Sequence, residues 1–304
     1  MPELVVALTG ASGFIGSAIL QKLVKCRYQV RALGRKPQQD TESVKWIQGD
    51  LSNTAALHKL IKNAFAIIHC AGQVRGNSLD TFAQTNVEGT KNLLRAALDQ
   101  VERPRFLLIS SLAARQPELS WYATSKQMAE QTLIDFSENL QWTVFRPTAV
   151  YGPGDKEIKP IFSATRYGFL PVVGNSANHF SLLHVNDFVA AVQCWLETKT
   201  TTNGIFELDD GNPGGYSYQS LAAITQEVWR RPVRCFFIPI TLVRLVANIN
   251  LWLSRLLHYA PMLTPGKARE LQHPDWLCDN TPLMHALPNW HPSIKLRDAL
   301  PNIL

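Results

Sequence analysis

A chain of 304 residues, 46% hydrophobic and 18% charged, is long enough for a sizeable core and ordinary in composition for a globular protein. The formal net charge is +6, but Lys and Arg are scattered without a dense run, so the basicity reads as a solvated surface and no nucleic-acid partner is expected. Five dispersed cysteines with no CxxC pair argue for free thiols in a reducing compartment and against a disulfide framework or a metal site, and no signal peptide is read at the N-terminus, so the expected location is the cytoplasm.

The first predicted strand, Leu4–Leu8, runs straight into TGASGFIG at Thr9–Gly16. Gly10, Gly13 and Gly16 have GxxGxxG spacing. A tight strand-to-helix turn needs glycine at the bend, and a pyrophosphate needs backbone approach without a Cβ in the way. The predicted helix Phe14–Lys25 then turns its first amides toward the anion. A glycine-rich loop alone is weak evidence; between a strand and an amphipathic helix it reads as a dinucleotide loop.

The second predicted strand, Gln29–Leu33, ends in RALGRKP. An NAD-preferring site places an acidic residue about 20 residues beyond the glycines to bond the ribose 2′-hydroxyl. Here Gly34 stands near that place, followed by Arg35 and Lys36. A guanidinium suits a 2′-phosphate, so NADP is the expected cofactor and NAD the alternative.

Strands at Val44–Ile47, Ala66–Cys70, Arg105–Ser110 and Thr143–Arg146 then alternate with helices at Thr54–Lys62, Thr81–Val101 and Tyr122–Asn139. The alternation predicts an α/β fold: a Rossmann-type doubly wound parallel sheet with helices on both faces. Ahead of the Tyr122 helix lies SSLAARQPELSWYATSK. Tyr122 and Lys126 are four residues apart and share a helix face. Carbonyl reduction needs a hydride to carbon and a proton to oxygen. A phenol has a reference pKa of about 10, which a nearby ammonium lowers. Ser111 can donate to the developing alkoxide.

Past about residue 150 the rhythm breaks at YGPGDKEIKP. A helix at Asn186–Glu197 and a strand at Gly204–Leu208 return toward the sheet. The expected division is therefore a dinucleotide domain over 1–152, with 180–210 returning to it. A smaller, mainly helical substrate subdomain would take 153–179 and 211–304. The apolar stretch Phe236–Leu263 is interrupted by Arg244, Asn248, Arg255 and His258, which rules against a transmembrane span. Within it, Thr241–His258 reads as an amphipathic helix with three roles open: core helix, lid of an apolar pocket, or a peripheral membrane contact. Thr264 and Pro265 then read as the N-cap and first position of another helix.

Eight pieces, in order over residues 4 to 190, carry a family resemblance: TGASGFIG, GDL (Gly49–Leu51), HCAG (His69–Gly72), TNVEGT (Thr85–Thr90), LISSLAA (Leu108–Ala114), YATSK (Tyr122–Lys126), RPTAVYGPG (Arg146–Gly154) and LHVNDF (Leu183–Phe188). Together they resemble the extended or atypical short-chain dehydrogenase/reductases of the NAD-dependent epimerase/dehydratase group. The resemblance implies that Gly10, Gly13, Ile15 and Gly16 line the pyrophosphate, with Ser12 and Phe14 in the same loop. Asp50 and Leu51 would hold the adenine, and Cys70, Ala71 and Gly72 would pass beneath the ribose and pyrophosphate. Asn86 would anchor the helix beside the active site, and Ser111 would bond the substrate oxygen. Tyr122 would be the acid/base, Lys126 would hold the nicotinamide ribose, and Pro147 and Thr148 would sit against the nicotinamide.

Only ten residues separate Ser111 from Tyr122, where sugar-nucleotide epimerases of this group usually carry a longer insert. The expectation is therefore a ketone reductase or secondary-alcohol dehydrogenase on an apolar small molecule, lipid-, sterol- or polyketide-like, with relatives among bacterial ceramide- or sphinganine-type reductases and 3β-hydroxysteroid dehydrogenase-like enzymes. A nucleotide-sugar epimerase with tightly bound NAD and a non-catalytic NADP-binding protein are the alternatives. Family members often dimerise through helices corresponding to Thr81–Val101 and Tyr122–Asn139, so a homodimer or a monomer is expected.

Overall fold

Apolar residues at alternate positions of the first strand fall on two separate cores. In the structure, a computed structural model that describes residues 4–136, 138, 140–199 and 203–303, Val6 and Leu8 of β1 (Val5–Thr9) join one cluster and Ala7 the other. A strand buried on both faces is what a parallel sheet between helical layers requires. β2 (Gln29–Gly34), β3 (Val44–Gln48), β4 (Ala66–His69), β5 (Arg105–Ile109) and β6 (Trp142–Pro147) complete the first half.

The remaining strands are β7 (Ala149–Tyr151), β8 (Phe169–Val173), β9 (His179–Phe180), β10 (Leu182–His184), β11 (Gly204–Leu208), β12 (Tyr216–Ser217), β13 (Arg234–Ile238) and β14 (Asp275–Trp276). The main sheet has seven strands in the order β11-β6-β5-β4-β1-β2-β3, all parallel. The direction of winding reverses between β1 and β4, and the crevice beyond their C-terminal ends is where such sheets bind ligands.

Helices α1 (Phe14–Lys25) and α7 (Val185–Glu197) cover one face; α2 (Thr54–Ile61), α4 (Gly89–Leu98) and α5 (Trp121–Asp135) cover the other. α3 (Leu79–Ala83) leads into α4 through a π-helical turn at Gln84–Glu88. The expected single helix Thr81–Val101 is thus one ribbon starting at Leu79, with Asn86 on its wide turn. Such π turns frequently mark functional sites. Of the expected Tyr122–Asn139 helix, Ser137 and Asn139 lie outside the described residues.

A third cluster around Tyr151, Phe162, Leu170 and Leu221 is built by β7, β8, α6 (Lys159–Arg166) and α8 (Tyr218–Trp229). α9 (Ile240–Leu256), α10 (Pro265–Gln272), α11 (Thr281–Ala286) and α12 (Leu296–Ala299) follow. Buried Asp187 ties the C-terminal segment to α7, accepting from the Ser293 and Ile294 amides at 3.0 and 2.8 Å. His184 caps α7 by accepting from the Asn186 amide.

Two features of the C-terminal half differ from expectation. Arg234–Ile238, expected only as part of a long apolar stretch, is a strand paired with β8. α9 ends at Leu256, and His258 lies beyond it with φ 53°. The core-helix reading of α9 fails, because only Val243, Ala247 and Ser254 are buried while Leu245, Ile249 and Trp252 are 57%, 49% and 64% exposed. Among the described residues no helix is long and apolar enough to cross a membrane.

Candidate active site

The glycine loop closes on the β4 turn at the reversal point. Gly10 has φ +73°, and a Cβ there would stand 2.6 Å from the Ala71 amide nitrogen. At Gly16 a Cβ would stand 2.0 Å from the Gly10 carbonyl oxygen. The α1 N-cap, Gly13, offers no side-chain acceptor to the first amides of the helix. An uncapped helix N-terminus behind a loop with no room for side chains fits a dinucleotide pyrophosphate.

A buried hydrogen-bond chain fixes this turn. The Ala71 amide donates to Thr9 Oγ1 at 3.1 Å, and Thr9 Oγ1 meets His69 Nδ1 at 2.7 Å. His69 Nε2 meets Thr90 Oγ1 at 2.9 Å, and that hydroxyl donates to the Asn86 carbonyl at 2.6 Å. Each hydroxyl has one proton, so only one direction satisfies every group: Thr9 donates to Nδ1, and Nε2–H donates to Thr90. His69 is therefore a neutral Nε2–H tautomer. Burial, with the Lys126 ammonium beside it, pushes its pKa down to about 3. Burial pushes the neighbouring Cys70 thiol up to about 12, which makes it an inert core residue.

Asn86 anchors what lies on either side of it. Its Oδ1 accepts from the Gln73 amide at 2.7 Å, and its Nδ2 donates to the Gln73 carbonyl and to Ser125 Oγ, the latter at 2.9 Å. The β4 turn and α5 are thereby locked together. A Cβ on Gly72 would lie 3.4 Å from Asn86 Oδ1 and 3.6 Å from Lys126 Nζ, so the turn passes directly over the lysine.

α5 starts at Ser120, whose hydroxyl accepts from the Ala123 amide at 3.0 Å. Its first turns carry Tyr122, half-buried and edge-on to Phe82, and Lys126, 6% exposed, whose Nζ donates to the Ile109 carbonyl at 2.7 Å. Burial lowers the Lys126 pKa to about 8. Burial raises that of Tyr122; a hydrogen bond with Ser111 opposes the rise, Glu270 adds to it and Lys267 opposes it. Ser111, Tyr122 and Lys126 thus converge beside the glycine loop. Lys267 of α10, with its partner Glu270, also bears on the phenol. The ten residues between Ser111 and Tyr122 form two 3-10 turns, Leu112–Arg115 and Pro117–Leu119.

The adenosine-side residues lie at the β2 and β3 ends. Gly34 is buried against Trp46, with a Cβ placed 3.1 Å from Cε3, while Arg35 and Lys36 are exposed. Asp50 Oδ1 accepts from the Ser52 amide and hydroxyl at 2.9 and 2.6 Å. These bonds, with a smaller contribution from Arg35, lower its pKa. Leu51 is buried under Gly89. Ser12, Phe14 and Ile15 belong to the glycine turn and the start of α1. Pro147 ends β6; Thr148 donates to the Ser181 carbonyl at 2.7 Å.

Three supporting groups were not singled out from sequence. His69 sat unassigned inside HCAG. Glu130 follows Lys126 by four residues, and that spacing could have marked it. It is 2% exposed, takes Arg146 Nε at 2.9 and 3.2 Å and Nη2 at 2.5 Å, and accepts from Ser110. The third is Lys267–Glu270, joined at 2.8 Å, with Ser120 donating to Glu270. Nothing local in the sequence announces that α10 packs there. Among the described residues no group of three or more His, Cys, Asp or Glu could hold a metal ion.

The sheet order and the switch-point glycine turn define a Rossmann-type dinucleotide-binding fold. The model of the NAD dependent epimerase/dehydratase family matches residues 6–208. The chain is 32% identical over 292 residues to a ceramide reductase of Caulobacter vibrioides, covering 94% of this chain and 89% of that one. It is 26% identical to a UDP-glucose 4-epimerase of Vibrio cholerae, over 77% of this chain and 79% of that one. Among solved structures, MoeE5 in complex with UDP-glucuronic acid and NAD superposes with a TM-score of 0.75 at 22% identity, covering 99% and 97% of the two chains. This chain belongs to the NAD-dependent epimerase/dehydratase family, as an enzyme of the extended short-chain dehydrogenase/reductase type.

Proposed function

We propose that the protein is an NADP-dependent ketone reductase, or the reverse secondary-alcohol dehydrogenase, acting on an apolar carbonyl compound of the ceramide-like lipid class. The observation that carries the reading is the pair Tyr122 and Lys126 on one helix, with the Lys126 ammonium under Gly72, beside a glycine turn in which a Cβ would strike backbone.

Gly10, Gly13 and Gly16 would hold the pyrophosphate, Arg35 the 2′-phosphate, Asp50 and Leu51 the adenine, and Lys126 the nicotinamide ribose. The bound nicotinamide supplies or accepts the hydride. Ser111 donates to the carbonyl oxygen and orients it against Tyr122. The phenol gives that oxygen its proton as the alcohol forms, then regains one from solvent. A positioned acid of this kind contributes about 10²–10⁴-fold. The raised Tyr122 pKa keeps the phenol protonated at neutral pH, the form that reduction consumes.

The lipid class rests on the similarity to the ceramide reductase over nearly the whole chain and on the short Ser111–Tyr122 connection. The decisive assay follows NADPH oxidation over ketones of graded chain length, ketoceramide-type lipids and UDP-sugars. Turnover rising with chain length supports the reading, as does tighter binding of NADPH than NADH. The UDP-glucose 4-epimerase similarity favours a second reading. Cofactor that stays bound through purification, with stabilisation by UDP-sugars and no ketone turnover, would establish that one instead.

A further inference from the structure

α9 carries two apolar stripes, and only one is covered. Val243, Ala247 and Ser254 are buried on the side that packs on α10, and Asn250 donates to the Leu263 carbonyl at 2.8 Å on that flank. At about 100° per residue, Leu242, Leu245, Ile249, Trp252 and Leu256 fall within an arc of about 80° on the opposite side. Their exposures run from 49% at Ile249 to 64% at Trp252. Leu257 continues the stripe at 65%, and Phe236 and Phe237, just ahead of the helix, are 64% and 55% exposed. A contiguous apolar surface of this kind marks an interaction site.

The charge around it selects the partner. Between Glu227 and Glu270 the chain has no acidic residue and seven cations: Arg230, Arg231, Arg234, Arg244, Arg255, Lys267 and Arg269. On the helix, Arg244, Asn248 and Arg255 occupy the arc beside the exposed stripe, all three exposed. A second copy meeting this face would bring arginines against arginines without a carboxylate from the same segment. An anionic bilayer supplies the missing counter-charge over a plane. Trp252, at the edge of the stripe nearest Asn248 and Arg255, suits the boundary between headgroup and acyl chain. The helix has 17 residues and does not qualify as a span, so it would lie in the interface plane.

We propose that the α9 face docks on anionic lipid membrane, Leu245, Ile249, Trp252 and Leu256 entering the interface and Arg244 and Arg255 meeting headgroup phosphates. α10 connects this face to the active site, since its other side touches Ser120 through Gly266 and Glu270. The docked enzyme thus holds its substrate half one helix away from the bilayer. The face is argued from its own residues and holds whichever carbonyl is reduced.

The test is co-sedimentation with phosphatidylcholine vesicles, with and without phosphatidylglycerol, using the full chain and no substrate, so that its result is independent of the reductase assay. Wild-type protein is expected to bind the phosphatidylglycerol vesicles and to release as salt is raised. Arg244→Gln/Arg255→Gln should bind them about tenfold or more weaker, and Ile249→Asp/Trp252→Asp should fail to bind. Circular dichroism and melting curves confirm that the variants, altered at exposed positions, stay folded. Absence of wild-type binding to the anionic vesicles overturns the proposal, as do variants that bind as wild type does. So does light scattering that shows a dimer dissolved by Ile249→Asp/Trp252→Asp, which would assign the face to a second copy.

Discussion

Replacing Glu130 by leucine tests whether α5, the helix of Tyr122 and Lys126, is held from behind by one buried ion pair. The Glu130 carboxylate takes both Nε and Nη2 of Arg146 and the Ser110 hydroxyl while only 2% exposed. The substitution leaves the Arg146 guanidinium, its side chain 17% exposed, without its bidentate acceptor. Breaking such a pair costs about 3–5 kcal/mol, because an uncompensated buried charge remains. Glu207, already bridged to Arg115 at 3.4 Å, also acts on Arg146 and gives it a weak fallback, so the lower end is expected, about 3 kcal/mol. Total stabilities of about 5–15 kcal/mol make that a large fraction. Removing both charges, Glu130→Leu/Arg146→Met, should restore all but about 1–2 kcal/mol, since an apolar pair of similar volume replaces a costly buried one. The assay is urea denaturation of wild type, both single variants and the double. A loss below about 1 kcal/mol for Glu130→Leu, or a double variant equal to the sum of the singles, would refute the reasoning.

Further outcomes follow from the same geometry. Tyr122→Phe should lower ketone turnover by about 10²–10⁴-fold, read in steady-state assays, while its NADPH dissociation constant stays that of wild type. Gly16→Ala should melt far below wild type even without cofactor, its Cβ being 2.0 Å from a carbonyl oxygen; Gly13→Ala, at 3.3 Å, should melt much nearer to it. The Lys126 pKa falls from 10.5 to about 8 on folding, so the unfolded chain binds the extra proton between those values and stability rises with pH across that window. Lys126→Met should therefore be more stable than wild type at pH 7, by roughly 2–4 kcal/mol, and lack that rise in denaturation curves at stepped pH; parallel curves would contradict the assignment. His69 falls from 6.5 to about 3, so its contribution is present above 6.5 and is lost as pH falls toward 3. His69→Gln should flatten that acid limb.

Most of the dinucleotide half was legible because its signals are local. The strands of the main sheet alternate residues between two cores, and β1 through β6 and β11 fall within one or two residues of their expected bounds. Gly16 was legible for the same reason, its limit set by the Gly10 carbonyl six residues earlier, and Gly10 by the turn that gives it φ +73°, although the backbone that closes on it comes from the β4 turn. The π turn at Gln84–Glu88 was not, since its apolar spacing resembles that of an α-helix and the wide turn is held by tertiary bonds from Asn86 to Gln73 and Ser125. α9 misled in another way. Periodicity reveals an apolar stripe but not whether anything covers it, and here two stripes share one helix with only the smaller residues turned inward.

The acid/base centre shows where local reading reaches its end. Four-residue spacing places Lys126 on the Tyr122 face, which is why the pair was read as a phenol and its activating cation. Folding instead points the Lys126 ammonium at the Ile109 carbonyl beneath the β4 turn, where burial already weakens its hold on a proton. Lys267, 145 residues later, opposes the raised phenol pKa, while its partner Glu270 acts on the same phenol in the opposite and larger sense. Lys126 sits under Gly72, the place proposed for the nicotinamide ribose, and Lys267 and Glu270 reach Tyr122 from the C-terminal half. Because Lys267 and Glu270 ride on α10, which packs on α9, any shift of that helix pair alters the field on Tyr122 directly. α10 thus stands between Tyr122 and the helix that carries the exposed face.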